Sequence, residues 1–258
     1  SSAHDMARWL RFVLDSGRAD GRAGGRTLLK PATVGDLLSP QALVPASQFY
    51  PTARLTRPHF TAYGLGWFLH DYDGRAVAMH TGSIDGMVAI VGLVPDERLG
   101  VVVLANLDHA ELRHALMYRV FDLYGPRGAG RDWSREMLAL YRGLRAAGDS
   151  AERAEVARRV PGTRHSAPLA RYAGVYRDSL YGDVVVSADG ERLGVRFGPG
   201  FVAPLEHWHY DTFRATWEDR RSGRSLLTFT LDAQGKPTTL RVNGWDAEFR
   251  RLADAAPR

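Results

Sequence analysis

Cysteine is absent from the 258 residues. That excludes disulfides, thiolate nucleophiles and zinc or iron–sulfur centres held by thiolates. Lysine is nearly absent: Lys30 and Lys236 stand against 32 arginines, and the net charge is +5. The arginines are scattered. The closest groupings, Arg158-Arg159 and Arg220-Arg221, are too short to track a phosphate backbone, so nucleic acid is not an expected partner. No apolar run reaches the ~20 residues that span a bilayer as a helix, so no transmembrane segment is expected. Asparagine occurs twice, as Asn106 and Asn243. What remains is ordinary globular composition, 45% hydrophobic and 24% charged, enough for one large or two modest domains.

The chain opens on Ser2-Ala3-His4-Asp5, a capping-box pattern, followed by Met6, Trp9, Leu10 and Val13 at helical spacing. Gly17 ends that helix. The first residue is serine, and no charged-then-apolar leader precedes the helix. A chain that begins on a core-facing helix reads as the later part of something longer. A turn-rich stretch follows to Arg26, then a short helix over residues 31–38 with proline in its first turn. Residues 39–62 hold four prolines and read as a long surface loop.

Strands come next. Tyr63 to His70, Arg75 to His80, Met87 to Val94 and Gly100 to Ala105 alternate with turns, which gives an antiparallel meander. Ala110 to Tyr124 follows as a helix whose expected apolar face is Leu112, Ala115, Leu116, Val120 and Phe121. Helices over 133–147 and 151–159, split by Gly148-Asp149-Ser150, form a helical linker. From Leu169 on, seven short strands predict a small all-β barrel-like domain. The expected organisation is α+β: 1–125 an antiparallel sheet with packed helices, 126–168 the linker, 169–258 the β-domain.

The segment with most chemical content is His80-Thr81-Gly82-Ser83, where a strand ends in imidazole, hydroxyl and glycine. Glycine lets a ligand lie close to the strand backbone. Tyr63-Gly64-Leu65-Gly66-Trp67 precedes this box. Val94-Pro95-Asp96-Glu97 and Leu104-Ala105-Asn106 follow it. That ordered set resembles the serine beta-lactamase-related hydrolases, specifically the class C beta-lactamase, D-alanyl-D-alanine carboxypeptidase and esterase group. The resemblance runs from Ser1 to about Tyr124. The last third, with Leu205-Glu206-His207-Trp208-His209-Tyr210-Asp211-Thr212-Phe213, resembles a small β-domain of unknown function appended to such proteins.

The resemblance implies cleavage of an amide or ester through an acyl-serine, with no cofactor or metal. It assigns substrate binding to His80, Thr81, Gly82 and Ser83. Thr81 would bond the substrate carboxylate or carbonyl, Gly82 would let the acyl group lie along the strand, and the Ser83 N–H would donate to the oxyanion. His80 stands where many relatives carry lysine, which puts beta-lactamase activity proper in doubt. It also implies that the Ser-x-x-Lys and Tyr-x-Asn boxes lie upstream. Neither is present: Thr27 and Ala233 stand three residues before the two lysines. The chain would therefore be inactive alone and need the missing N-terminal segment of the same protein as partner. Export to the periplasm or exterior is implied by the resemblance only. The alternative is a non-catalytic module whose β-domain binds a small ligand or a partner.

Other arrangements carry less. Gly82-Ser83-Ile84-Asp85-Gly86 does not centre its serine as a lipase elbow requires. His109 and His114 are five apart, not the four of a zinc helix. His207 and His209 alternate on one strand and so are expected to share a face, but they lack a third metal ligand. Trp208, Tyr210, Phe213 and Trp217 are expected to fill a barrel core. Ser1 has no strand signature that would make it an N-terminal nucleophile.

Overall fold

A computed structural model describes residues 1–19, 25–84, 86–107, 111–128, 130–245 and 247–253. His109 and Asp85 lie outside the described residues, so the spacings that involve them are not addressed. The fold is α+β and divides into two compact units, Ser1–Ser150 and Ala151–Arg258.

In the first unit, α1 (Ala3–Leu14) is capped as its sequence requires: the Ser2 Oγ accepts the Asp5 N–H at 3.1 Å. Its buried side chains are Leu10 and Val13. Gly17 follows at φ +85°, and a Cβ there would sit 2.4 Å from the Leu29 carbonyl oxygen, so only glycine fits. Next come α2 (Pro31–Leu37), β1 (Ala42–Leu43), α3 (Ala53–Thr56) and β2 (Thr61–Tyr63). The stretch expected as a long loop is thus partly structured, and it buries Phe49 and Thr52. Strands β3 (Phe68–Tyr72), β4 (Arg75–Ile84), β5 (Met87–Val94) and β6 (Leu99–Ala105) complete a six-stranded antiparallel sheet in sequence order. Residues 63–70, expected as one strand, instead turn between β2 and β3. Gly66 takes φ +87° there, a conformation open to glycine at little cost.

Alternation along β4 serves two cores. Val77 and Met79 join Ile90, Met117 and Phe121 on one face, while Ala78 joins Leu10, Val13 and Leu93 on the other. The first of these faces packs against α4 (Leu112–Tyr124).

The expected apolar face of α4 is corrected by the structure. Leu112 and Leu116 are 54% and 42% exposed, while Arg113, His114, Met117, Tyr118, Phe121 and Asp122 are buried. Of the polar members of that face, Arg113 and Asp122 are paired. Asp122 accepts from the Tyr72 hydroxyl at 2.5 Å and the Trp133 indole at 2.6 Å. The two expected linker helices are one, α5 (Trp133–Ala157). Gly148 costs an exposed helix only about 1 kcal/mol, which the flanking Ala, Arg and Glu residues can carry.

The second unit holds β7 (Gly174–Asp178), β8 (Gly182–Asp189), β9 (Arg192–Phe197), β10 (Phe201–His209), β11 (Thr212–Thr216), β12 (Arg224–Leu231), β13 (Pro237–Val242) and β14 (Glu248–Arg251). They form a closed antiparallel barrel. The expected count of seven strands omits β14, which pairs with β13 and β7 and closes the ring. Glu248-Phe249-Arg250-Arg251 carries a single apolar residue, so its strand character is set by closure rather than by pattern. Among the described residues no helix is long and apolar enough to cross a membrane.

Candidate active site

The site is built where β3 stops and β4 continues. Register pairs Phe68 with Met79, and β3 begins at Phe68, so residues 80–84 of β4 have β5 on one side and, among the described residues, no strand on the other. Which backbone groups face the open side follows from the alternation of antiparallel ladder bonds. The Gly64 N–H bonds the Trp67 carbonyl at 2.8 Å, which turns Trp67 toward β2 and Phe68 toward β4. Met79, opposite Phe68, therefore points its N–H and C=O at β3. Two and four residues later, Thr81 and Ser83 point theirs into the open edge. The Tyr50 hydroxyl donates to the Thr81 carbonyl there, at 3.4 Å.

The four expected site residues are contiguous on this edge, but they do different things. Gly82 is exposed, and a Cβ built on it meets nothing within 4 Å. Ser83 is exposed, with its N–H on the open side. His80 is exposed beside the Tyr63 and Phe68 rings, with centroids at 6.4 and 6.0 Å. Its Nδ1 lies 2.7 Å from the Gly66 carbonyl oxygen, which can only accept. The neutral imidazole therefore holds its proton on Nδ1 and offers Nε2 as an acceptor; it donates from Nε2 only when protonated.

Thr81 is placed differently from its neighbours. Its side chain is buried and turned to the α4 face, where the hydroxyl donates to the Ala89 carbonyl at 2.7 Å and accepts from Arg113 Nε at 2.8 Å. The proton expected to reach a substrate is spent inside the fold, and Thr81 faces the open edge through its main chain.

Beneath Thr81 lies a polar layer that spacing gave no means to find. Glu111 Oε2 lies 3.6 Å from Arg113 Nη1 and 3.3 Å from His114 Nδ1. Burial raises the Glu111 pKa, but the bond to His114, the Arg113 charge and the bond to Tyr141 outweigh it, and the net shift is downward. Burial lowers the His114 pKa, against the raising effect of its bond to Glu111. Arg113 and His114 fall outside the apolar face expected for this helix, and Tyr50 sits in an irregular stretch. Only a pairing across the sheet identifies them.

Elsewhere, His207 and His209 do not share a face. The β10–β11 register shifts between them: His207 pairs with the core residue Phe213, while His209 pairs with its neighbour Thr212. Of the four aromatics, Phe213 and Trp217 belong to the barrel core. Trp208 is buried instead under the Arg159 and Arg214 guanidinium groups, 4.6 and 5.0 Å from its ring, and Tyr210 is 54% exposed. Among the described residues no three His, Asp or Glu side chains gather as a metal site.

Residues 1–124 match the beta-lactamase family, and residues 158–254 match a domain of unknown function, DUF3471. Over its first 124 residues the chain is thus similar to the serine beta-lactamase-related hydrolases. It is 28% identical over 265 residues to an unguisins hydrolase from Aspergillus violaceofuscus, covering 95% of this chain and 46% of that protein. The chain therefore spans about half the length of this curated relative. Two solved structures are similar. One is an octameric penicillin-binding protein homologue from Pyrococcus abyssi, with 16% identity, 96% of this chain and 46% of that chain covered, and a TM-score of 0.40. The other is the C-terminal domain of a penicillin binding protein, with 28% identity, 36% of this chain and 95% of that chain covered, and a TM-score of 0.31.

Proposed function

We propose that this chain supplies one wall of an acyl-serine hydrolase site, and that the open edge of β4 is that wall. The observation that carries the reading is the end of β3 at the Phe68–Met79 pair, which frees the Ser83 N–H beside an uncovered Gly82. An amide or ester substrate lies along residues 81–83, with its acyl portion over Gly82. A serine from an upstream Ser-x-x-Lys segment attacks its carbonyl carbon, and the carbonyl oxygen gathers negative charge against the Ser83 N–H. One such fixed donor lowers the barrier by about 3 kcal/mol. His80 borders the substrate with Nε2, receiving a hydrogen bond when neutral and binding a carboxylate when protonated. The curated relative is named for hydrolysis of unguisins, which makes those compounds the first substrates to try. The chain by itself, with neither Ser-x-x-Lys nor Tyr-x-Asn, forms no acyl-enzyme.

The experiment uses the protein in which this chain is joined to a Ser-x-x-Lys segment. A Cβ at Gly82 meets nothing within 4 Å in this chain, and the melting temperature of Gly82→Val is measured beside its activity, so that activity lost at an unchanged melting temperature reports a clash with substrate. Acylation is expected to fall about a hundredfold or more. Ser83→Pro removes the proposed donor without removing a ladder bond and is expected to lower kcat similarly. Unchanged turnover in both variants overturns the assignment.

A further inference from the structure

One end of the barrel carries a half-open cleft. A cavity of about 530 Å³ is lined by His165, Glu191, Leu193, Leu205, His207 and Phe213, among others. Eight-stranded barrels enclose either side chains alone or side chains and one small ligand, and this volume falls in the range of small-molecule sites. The lining is ordered by register. Leu193 pairs with Leu205 and His207 pairs with Phe213, so these four side chains belong to adjoining inward positions on β9, β10 and β11. His165 stands against them, with its ring centroid 5.7 Å from that of His207 and 6.4 Å from that of Phe213.

The two imidazoles are held in defined tautomers by carbonyl oxygens, which cannot donate. His165 Nδ1 lies 2.6 Å from the Ala167 oxygen, and His207 Nε2 lies 2.9 Å from the Tyr210 oxygen. Each of those nitrogens therefore carries the proton. His165 Nε2 and His207 Nδ1 are left as lone pairs in the neutral rings. The charged lining residue is Glu191, another acceptor. Asp211 adds a second negative charge at this end of the barrel, its carboxylate receiving bonds from the Ser166 N–H, the Ser166 hydroxyl and the Tyr172 hydroxyl. An apolar floor beneath acceptors and negative charge selects a ligand with donors and positive charge at one end.

We propose that the mouth of this barrel binds a primary ammonium group carried on a compact apolar body. Such a group belongs either to a free amine or to the amino terminus of a peptide. The site is separate from the β4 edge and does not depend on the hydrolase reading.

The test is calorimetric titration of the whole chain at about pH 7, where an alkylamine and most of a peptide α-amine carry the extra proton. The probes are hexylammonium, phenylalaninamide, hexanoate and hexanol. One or both amines are expected to bind at a single site, and the tighter of the two tells a free amine from a peptide terminus. Hexanoate is expected to bind at least tenfold more weakly than the better amine. Glu191→Gln, on an exposed turn, is expected to weaken amine binding about tenfold, in line with the loss of one charge-assisted contact. Nitrogen NMR of the imidazoles is expected to find His165 protonated on Nδ1 and His207 on Nε2. Binding of hexanoate as tight as the amines, no binding of either amine at millimolar concentration, amine binding unchanged in Glu191→Gln, or the opposite tautomers would each overturn the proposal.

Discussion

His80 and Thr81 are neighbours in the chain with opposite environments, one exposed at an open strand edge and the other buried against α4. The motif they share was readable because strand, hydroxyl and glycine follow one another locally. The direction of the Thr81 hydroxyl was not, because it depends on Arg113, 32 residues away. The same limit applies to His70, an unremarkable letter in a strand that proves fully buried, with its Nε2 3.1 Å from the Tyr118 hydroxyl. Burial lowers its pKa to about 4, against about 6.5 for a free imidazole. Between these values the unfolded chain binds a proton that the folded chain refuses. Stability is therefore fully present above pH 6.5 and falls as the pH drops toward 4. The shift is worth about 3 kcal/mol over that window. Urea denaturation at pH 4.5 and 7 is expected to show the loss, and His70→Phe is expected to flatten the dependence. A slope as steep in the variant as in the parent protein would place the titration elsewhere.

The type of each long element was legible: α1, α2, β4, β5, β6 and most barrel strands follow from periodicity and turn residues. Faces and breaks were less so. In α4 the leucines draw attention to the side that solvent meets, while the buried side carries Arg113 and Asp122, which are paired with Thr81 and Tyr72 of the sheet. The fit of that helix to β5 is tight. A Cβ on Gly92 would stand 2.4 Å from Met117 Sδ and 3.0 Å from Phe121 Cζ. Gly92→Ala must push α4 outward or drive Met117 off its rotamer, at a cost of about 1–3 kcal/mol. Leu116→Ser, on the leucine side, is expected to change stability by less than ~0.5 kcal/mol. Chemical denaturation of the two variants side by side checks the assignment. A larger loss for Leu116→Ser than for Gly92→Ala would restore the face marked by the leucines.

At the scale of the molecule, the sequence indicates a mixed sheet-and-helix unit followed by a small barrel-like all-β unit, but not the eighth strand that closes it. Seven strands make an open sheet with two free edges, and free edges recruit other chains. The eighth changes that. Leu240 pairs with Phe249, Arg250 pairs with Arg177, and Phe249 is fully buried in the barrel core. Arg251 fastens the seam by donating to the carbonyls of Arg171 and Ala173, the latter at 2.7 Å. Ending the chain before Glu248 leaves β13 and β7 with unpaired backbone groups and exposes the aromatic interior around Tyr176 and Phe229. That protein is expected to associate with rising concentration, seen as a growing mass in light scattering, whereas the intact chain does not associate through these strands. Arg251→Ala keeps β14 but loosens the seam, and is expected to lower the melting temperature without driving association. If the truncated chain keeps the mass of the intact one at every concentration and melts at the same temperature, β14 does not close the barrel.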